Sequence, residues 1–216
     1  MIVNADACCL PLGTGLVDLM IADPPYGINY QSAWRKDKST WKAKIANDLT
    51  PFTGWFSEAF RVLNSTRSAL VVFCRWDVAE TFRQAIEHAG FVVKSQVIWD
   101  REVHGMGDLR ASFAPCHNIL WVAIKGHFTF PCQRPKSILR AQRISGAKLT
   151  HPNEKPEELY RQLITSLSMP GDLVVDPFVG SGACARVARN EHRLFIGLDI
   201  LKEYCTLAHR RAYAAR

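Results

Sequence analysis

Asp23-Pro24-Pro25-Tyr26 sets a carboxylate, a proline carbonyl and a phenol within four residues, directly after the apolar run Val17-Asp18-Leu19-Met20-Ile21-Ala22. The Asp23 carboxylate and the Pro24 carbonyl can both accept protons from one planar NH2 group. The prolines, which have no N–H, hold those acceptors without competing for them. Tyr26 adds a flat face for stacking on a base. An aromatic exocyclic amine is a weak nucleophile because its lone pair is delocalised into the ring. Acceptors that hold both its protons out of plane localise that pair as the transition state forms. The structural alternative is that a Pro-Pro pair simply ends a strand rigidly.

A second segment, Asp176-Pro177-Phe178-Val179-Gly180-Ser181-Gly182-Ala183, stands between the apolar run Leu173-Val174-Val175 and a helical stretch. Gly180 and Gly182 permit a tight strand-to-helix turn and let a ligand approach bare backbone, while helix amides face an anionic group. Seventeen residues beyond Gly182, Asp199 ends another apolar run, where a carboxylate can accept hydrogen bonds from ribose hydroxyls. This pattern reads as an adenosine-cofactor site, and Gly180-x-Gly182-x-x-Ala185 also satisfies the dinucleotide fingerprint of a dehydrogenase. Only 34 residues follow Gly182, so the sheet must be completed by strands earlier in the chain, which disfavours a dehydrogenase.

Strands alternating with helices must position these two segments. Val17–Ala22, Ala69–Cys74, Val92–Trp99, Asn118–Ile124, Leu173–Val175 and Leu194–Leu198 read as strands, several of them continuously apolar as a buried parallel sheet requires. Phe56, Ala59, Phe60 and Leu63 share one helical face. Val78, Phe82, Ala85, Ile86 and Ala89 share another, stopped by Gly90 as a C-terminal cap. Pro156, Glu157 and Glu158 open a third helix, continued by Leu159, Leu163, Ile164 and Leu167 up to Pro170-Gly171. The expected fold is one domain, residues 1–216, with an open, doubly wound, mostly parallel α/β sheet whose ligands lie beyond the carboxyl ends of the strands. Residues 126–150 fit neither period and read as an excursion from the sheet.

With 216 residues, 48% apolar and 22% charged, the chain can bury a core without staples and lacks any apolar run of about 20 residues. Its start shows no secretory pattern, and a soluble, cytoplasmic protein is expected. The seven cysteines have no Cys-x-x-Cys spacing, which argues against a disulfide framework or a zinc site; they read as reduced thiols, mostly in the core. His104, His117 and His151 form no metal-ligand spacing either, so no metal is expected. The formal charge is +7, and one segment carries the whole excess. Between Leu109 and Asn153 there is no acidic residue, against Arg110, Lys125, Arg134, Lys136, Arg140, Arg143 and Lys148. Arg35, Lys36, Lys38, Lys42 and Lys44 form a second cluster. Both suit a polyanion partner.

Taken together, Asp23–Tyr26 and Asp176–Gly182 resemble the catalytic and cofactor motifs of the S-adenosylmethionine-dependent amino-methyltransferases of DNA, in the permuted group where the catalytic motif comes first. His151-Pro152-Asn153-Glu154-Lys155-Pro156 is similar to the family's segment leading into the helix at the methionine end, with a His and a Lys four apart. Asn4-Ala5-Asp6-Ala7 resembles the segment whose Asp meets the cofactor's adenine. Asp199 matches the acidic residue at the ribose, and Trp99-Asp100-Arg101 and His117–Leu120 resemble weaker motifs. The resemblance implies a Rossmann-like methyltransferase sheet, S-adenosylmethionine as cofactor, and double-stranded DNA as partner. It implies cofactor contacts from Asp6, Ala7, Asp23, His151, Lys155, Asp176, Pro177, Phe178, Gly180, Ser181, Gly182 and Asp199. Ala183 departs from the Thr that is frequent in the family.

Direct methyl transfer follows, with Asp23 and Pro24 holding an extruded base and Tyr26 stacked on it. In the family that the chain resembles, Asp in the first catalytic position goes mostly with adenine N6, which the resemblance therefore implies at Asp23, with cytosine N4 as the alternative and a silent DNA-binding module as another. Carbon-5 cytosine chemistry would need a Cys nucleophile; Cys116 and Cys132 follow prolines but lie away from the strand-end motif. The recognition segment is short, Gly126–Thr150, so a short target sequence is expected, read in part by a second subunit of a homodimer. Such an enzyme would serve a restriction pair or stand alone in a phage. Arg134, Lys136, Arg140, Arg143 and Lys148 are expected to meet DNA, as is the cluster Arg35–Lys44.

Overall fold

The computed structural model describes residues 1–27, 49–105, 109–145 and 154–214. The strands are β1 (Ile2–Asn4), β2 (Leu19–Ala22), β3 (Ser68–Cys74), β4 (Val92–Asp100), β5 (His117–Lys125), β6 (Ile138–Arg140), β7 (Leu173–Asp176) and β8 (Leu194–Asp199). The helices are α1 (Phe56–Val62), α2 (Ala79–His88), α3 (Glu157–Leu167), α4 (Ala183–Asn190) and α5 (Lys202–Tyr213). All eight strands form one sheet in the order β1-β8-β7-β2-β3-β5-β4-β6. Every pairing is parallel except those of β5 with β3 and β4, so β5 alone runs against the rest.

β3 sits at the centre and buries all seven of its side chains. Successive side chains on a strand point to opposite faces, so both faces must be covered. Phe73 packs on Tyr160 of α3, with ring centroids 6.2 Å apart. Its neighbour Val72 is in register with Trp121 of β5, whose indole N–H donates to the Ala79 carbonyl at the start of α2. Helix α3 therefore covers one face and α2 the other, the doubly wound arrangement that the alternation of elements predicts. α4 packs between α3 and α5, and Phe56 of α1 meets Phe82 of α2 at 6.3 Å.

α2 ends as its sequence dictates. Gly90 has φ +102°, its N–H donates to Glu87 O, and Phe91 N–H donates to Ile86 O, closing a two-bond C-terminal cap that a left-handed residue makes accessible. α3 opens on Pro156, with Glu157 and Glu158 in its first turn, and buries Leu159, Tyr160, Leu163, Ile164 and Leu167.

Two expectations change. Residues 138–140 return to the sheet as β6, paired in parallel with β4, so the stretch 126–150 is not wholly an excursion. Three residues are too few to show a period. The same brevity hides β1. Four of the seven cysteines, Cys8, Cys9, Cys116 and Cys132, are exposed, and Cys74, Cys184 and Cys205 are buried; all are free thiols. His104 and His117 are exposed, and His104 Nδ1 lies 3.4 Å from Gly105 O. Among the described residues, no helix is long and apolar enough to cross a membrane.

Candidate active site

β1, β8, β7, β2 and β3 are consecutive parallel neighbours, so their carboxyl ends lie along one edge, about 4.8 Å apart from strand to strand. Asp6, Asp199, Asp176 and Asp23 leave the sheet there, in that order. The catalytic and cofactor motifs, more than 150 residues apart in sequence, are adjacent because β2 pairs with β7 through Leu19–Val174 and Met20–Val175.

Both oxygens of Asp23 are engaged. The Tyr26 hydroxyl donates to Oδ1 and the Lys155 ammonium donates to Oδ2, with the Asp23 and Lys155 side chains only 14% and 8% exposed. Lys155 Nζ also lies 5.3 Å from the centre of the Phe73 ring. The segment that carries it is tied down next door. Glu154 pairs with Arg211 of α5, and Arg211 reaches Glu157 at 2.9 Å. Lys155 thus acts in this structure as the counter-ion of Asp23, a pairing that no spacing in the sequence announces.

Tyr26 is 7% exposed and packs edge-on against Phe82 of α2, centroids 6.4 Å apart. Burial, then the adjacent Asp23 carboxylate, push its phenol well above the ordinary value, so it stays protonated and donates. In this arrangement the ring is buried and its hydroxyl braces Asp23. Pro25 O accepts Phe52 N–H at 3.1 Å, fixing the turn, whereas among the described residues no group donates to the Pro24 carbonyl.

On the other side, Asp199 Oδ2 accepts from Gly180 N at 3.1 Å and Oδ1 accepts from Leu201 N at 2.9 Å. Burial raises its pKa, and the two amides oppose that rise. Asn4 Nδ2 donates to the carbonyls of Asp199 and Ile200, both at 2.9 Å, which joins the Asp6 segment to Asp199. Asp6 is exposed, its Oδ1 taking the Cys8 N–H, while Ala7 is buried. Asp176 is 2% exposed, and its Oδ1 accepts Phe178 N–H at 3.0 Å, so it shapes the loop from beneath. Burial above all raises its pKa to about 8, with the Asp23 and Asp199 charges adding to the effect. Pro177 and Ser181 are buried; Phe178 remains partly open beside Trp55 and Phe52, at 5.3 and 6.1 Å. Gly180 and Gly182 have φ +45° and +79°. A Cβ on Gly182 would stand 2.6 Å from Ala208 Cα, so α5, rather than a ligand, is what comes close to that glycine.

The profile of the N6/N4 DNA methylase family matches residues 17–210. The chain belongs to this family. The methylase is 28% identical over 232 residues to the type II methyltransferase M.HpaI of Haemophilus parainfluenzae, covering 96% of this chain and 72% of that protein. Its fold is similar to that of M1.HpyAVI in complex with SAM, with TM-score 0.74, 24% identity, and 99% and 98% of the two chains covered. It is also similar to the PvuII DNA methyltransferase, described as cytosine-N4-specific, with TM-score 0.76, 17% identity, and 99% and 86% covered.

The methylase is an S-adenosylmethionine-dependent DNA methyltransferase. The donors and acceptors around its loop fit that group: the Asp199 oxygens each keep a lone pair for hydroxyls, Asp6 is exposed beside them, and Phe178 offers an apolar wall. Among the expected DNA contacts, Arg140 ends β6 in register with Asp100, and Arg143 N–H donates to Arg101 O, both on the carboxyl edge. Arg134 and Lys136 precede β6 and so lie toward the opposite end. There they line a cavity of about 550 Å³ with Ser95, Val97 and Gln162. Arg101, part of the weaker motif Trp99-Asp100-Arg101, was given no role of its own by the sequence. Its Nε is buried and has no partner among the described residues, and burial followed by the nearby Arg143 charge lowers its pKa. Arg35, Lys36, Lys38, Lys42, Lys44, Lys148 and His151 lie outside the described residues.

Proposed function

We propose that this methylase transfers a methyl group to the exocyclic N6 of adenine in double-stranded DNA, acting directly on a base extruded from the helix. The observation that carries this reading is the adjacency of β2 and β7: the amine acceptor Asp23 and the loop Asp176–Gly182 leave neighbouring strands side by side. S-adenosylmethionine supplies an electrophilic methyl on a sulfonium. Asp6, Phe178, Gly180 and Asp199 hold its adenosine, with Ala7, Pro177, Ser181 and Gly182 shaping the pocket around it. The Asp23 carboxylate and the Pro24 carbonyl accept the two amine protons and turn the nitrogen lone pair toward the methyl group. As the nitrogen–carbon bond forms and the carbon–sulfur bond breaks, the surplus amine proton passes toward Asp23.

Preference for adenine rests on Asp in the first catalytic position. Arg140, Arg143 and Arg101 face the same edge and would neutralise phosphates there. Nucleoside mass spectrometry of DNA from a methylation-free bacterial host tests the proposal. N6-methyladenine should appear with this chain and vanish with Asp23→Ala. Asp23-dependent N4-methylcytosine would keep the mechanism and reverse the base, and an absence of methylated bases would favour a DNA-binding module without catalysis.

A further inference from the structure

Lys155, the residue that meets Asp23, stands between two carboxylates of its own segment, Glu154 and Glu157. Charges so near in the chain compete with Asp23 for its ammonium. Both are taken instead by one group on α5. The Arg211 guanidinium donates through Nη1 to Glu154 and through Nη2 to Glu157, the latter at 2.9 Å. The Glu154 side chain is 4% exposed and that of Arg211 18%, so water is largely kept from this junction.

Backbone geometry turns that anchoring into aim. Lys155 precedes a proline, which restricts it to extended backbone, and Pro156 itself has φ −67° and ψ 142°. Neighbouring side chains on extended backbone leave on opposite sides. Fixing Glu154 against α5 therefore turns Lys155 the other way, to Asp23. α5 is a firm anchor, since Ala208, about one turn before Arg211, is fully buried and packs on Gly182. An arginine suits this place because its planar fork spans two carboxylates and keeps its charge when buried. Arg186 of α4 adds a longer approach to Glu157, at 3.8 Å.

We propose that Arg211 is a positioning residue for methyl transfer: by holding Glu154 and Glu157 it keeps the Lys155 ammonium on Asp23, and so fixes the carboxylate that accepts the amine. Arg211 acts through Lys155 rather than on the base. This rests on the methylase reading above and adds to it a residue outside both motifs. It also ties α5, the helix that follows Asp199, to the carboxylate at the end of β2, so that the two sides of the site share one chain of ion pairs.

The test uses the whole chain and DNA from a methylation-free host. Brief acetylation with acetic anhydride, read residue by residue by mass spectrometry, reports how open each lysine is. Arg211→Met should raise the Lys155 rate severalfold and leave unchanged that of Lys125, whose ammonium is held by the Phe60 and Leu63 carbonyls. The kcat for methyl transfer should fall about ten- to hundredfold, the scale of a small misplacement, with KM for DNA within about threefold. Arg211→Lys should recover part of both signals. In a Lys155→Met background, Arg211→Met should lower kcat by no more than about twofold, since its effect runs through the missing ammonium. Should Arg211→Met not fold, Arg211→Met with Glu154→Gln removes both charges together and is read in the same way. An unchanged Lys155 rate, Lys155 and Lys125 rates that rise together, or kcat losses that multiply in the double variant would overturn the inference. A wild type without methyl transfer would overturn the methylase reading, and the acetylation rates would still decide whether Arg211 places Lys155.

Discussion

Lys155 holds Asp23 from across the molecule: the two residues are 132 apart in sequence and form an ion pair in which neither side chain is more than 14% exposed. Removing one member of a buried pair leaves the other charge without compensation, which costs more than the pair itself contributes. Lys155→Met should therefore lower stability by about 3 kcal/mol. Adding Asp23→Asn to it should restore part of that loss. Urea unfolding of the wild type, both single variants and the double variant measures the coupling, and strictly additive effects would show that the pair does not persist in solution.

Asp176 gives a pH dependence whose sign is opposite to that of an ordinary paired carboxylate. Burial keeps its carboxyl protonated up to about 8, against an ordinary value of 3.8. The unfolded chain gives up this proton as pH rises past about 4, while the folded chain retains it. The contribution to stability is complete below 3.8 and is lost as pH climbs toward 8. Between pH 5 and 8 the wild type should thus lose stability relative to Asp176→Asn. Urea midpoints that move in parallel for the two proteins would mean that Asp176 is ionised in the fold.

Gly182→Ala should destabilise the protein by roughly 2 kcal/mol or more, because a side chain is strained at φ +79° and its Cβ would meet α5 backbone at 2.6 Å. The effect should appear in thermal unfolding without cofactor. A loss confined to cofactor affinity would indicate that α4 and α5 separate readily.

The two halves of the basic segment should behave differently toward salt. Arg140→Ala and Arg143→Ala are each expected to flatten the plot of log binding constant against log salt by about 0.9 for each phosphate contact removed. Arg134→Ala and Lys136→Ala, which border the cavity against α3, should leave the slope as it is. Equal slopes for all four variants would put the DNA elsewhere.

The sheet was largely legible from the sequence because its central strands are apolar on both faces, as at Ser68–Cys74, and because Gly90, Pro156 and Pro170 punctuate the helices. β1 and β6 were illegible at three residues each: they are strands by virtue of their partners β8 and β4. The motifs named the carboxylates but not their neighbours. Sequence offers no sign that Lys155 turns to Asp23, that Tyr26 is buried against Phe82, or that Arg101 carries an unpaired buried nitrogen, since each depends on which strands and helices meet.

Among the described residues β1 pairs only with β8, and Asn4 reaches Asp199 across 195 residues. During synthesis the strand that leads into Asp6 must wait for those 195 residues to leave the ribosome before its partner exists. Asp23, which follows β2, can be flanked by β3 much earlier. The ribosome thus delivers the Asp23 side of the edge well before the Asp199 side, so a chain stopped ahead of β8 leaves β1 without its strand partner.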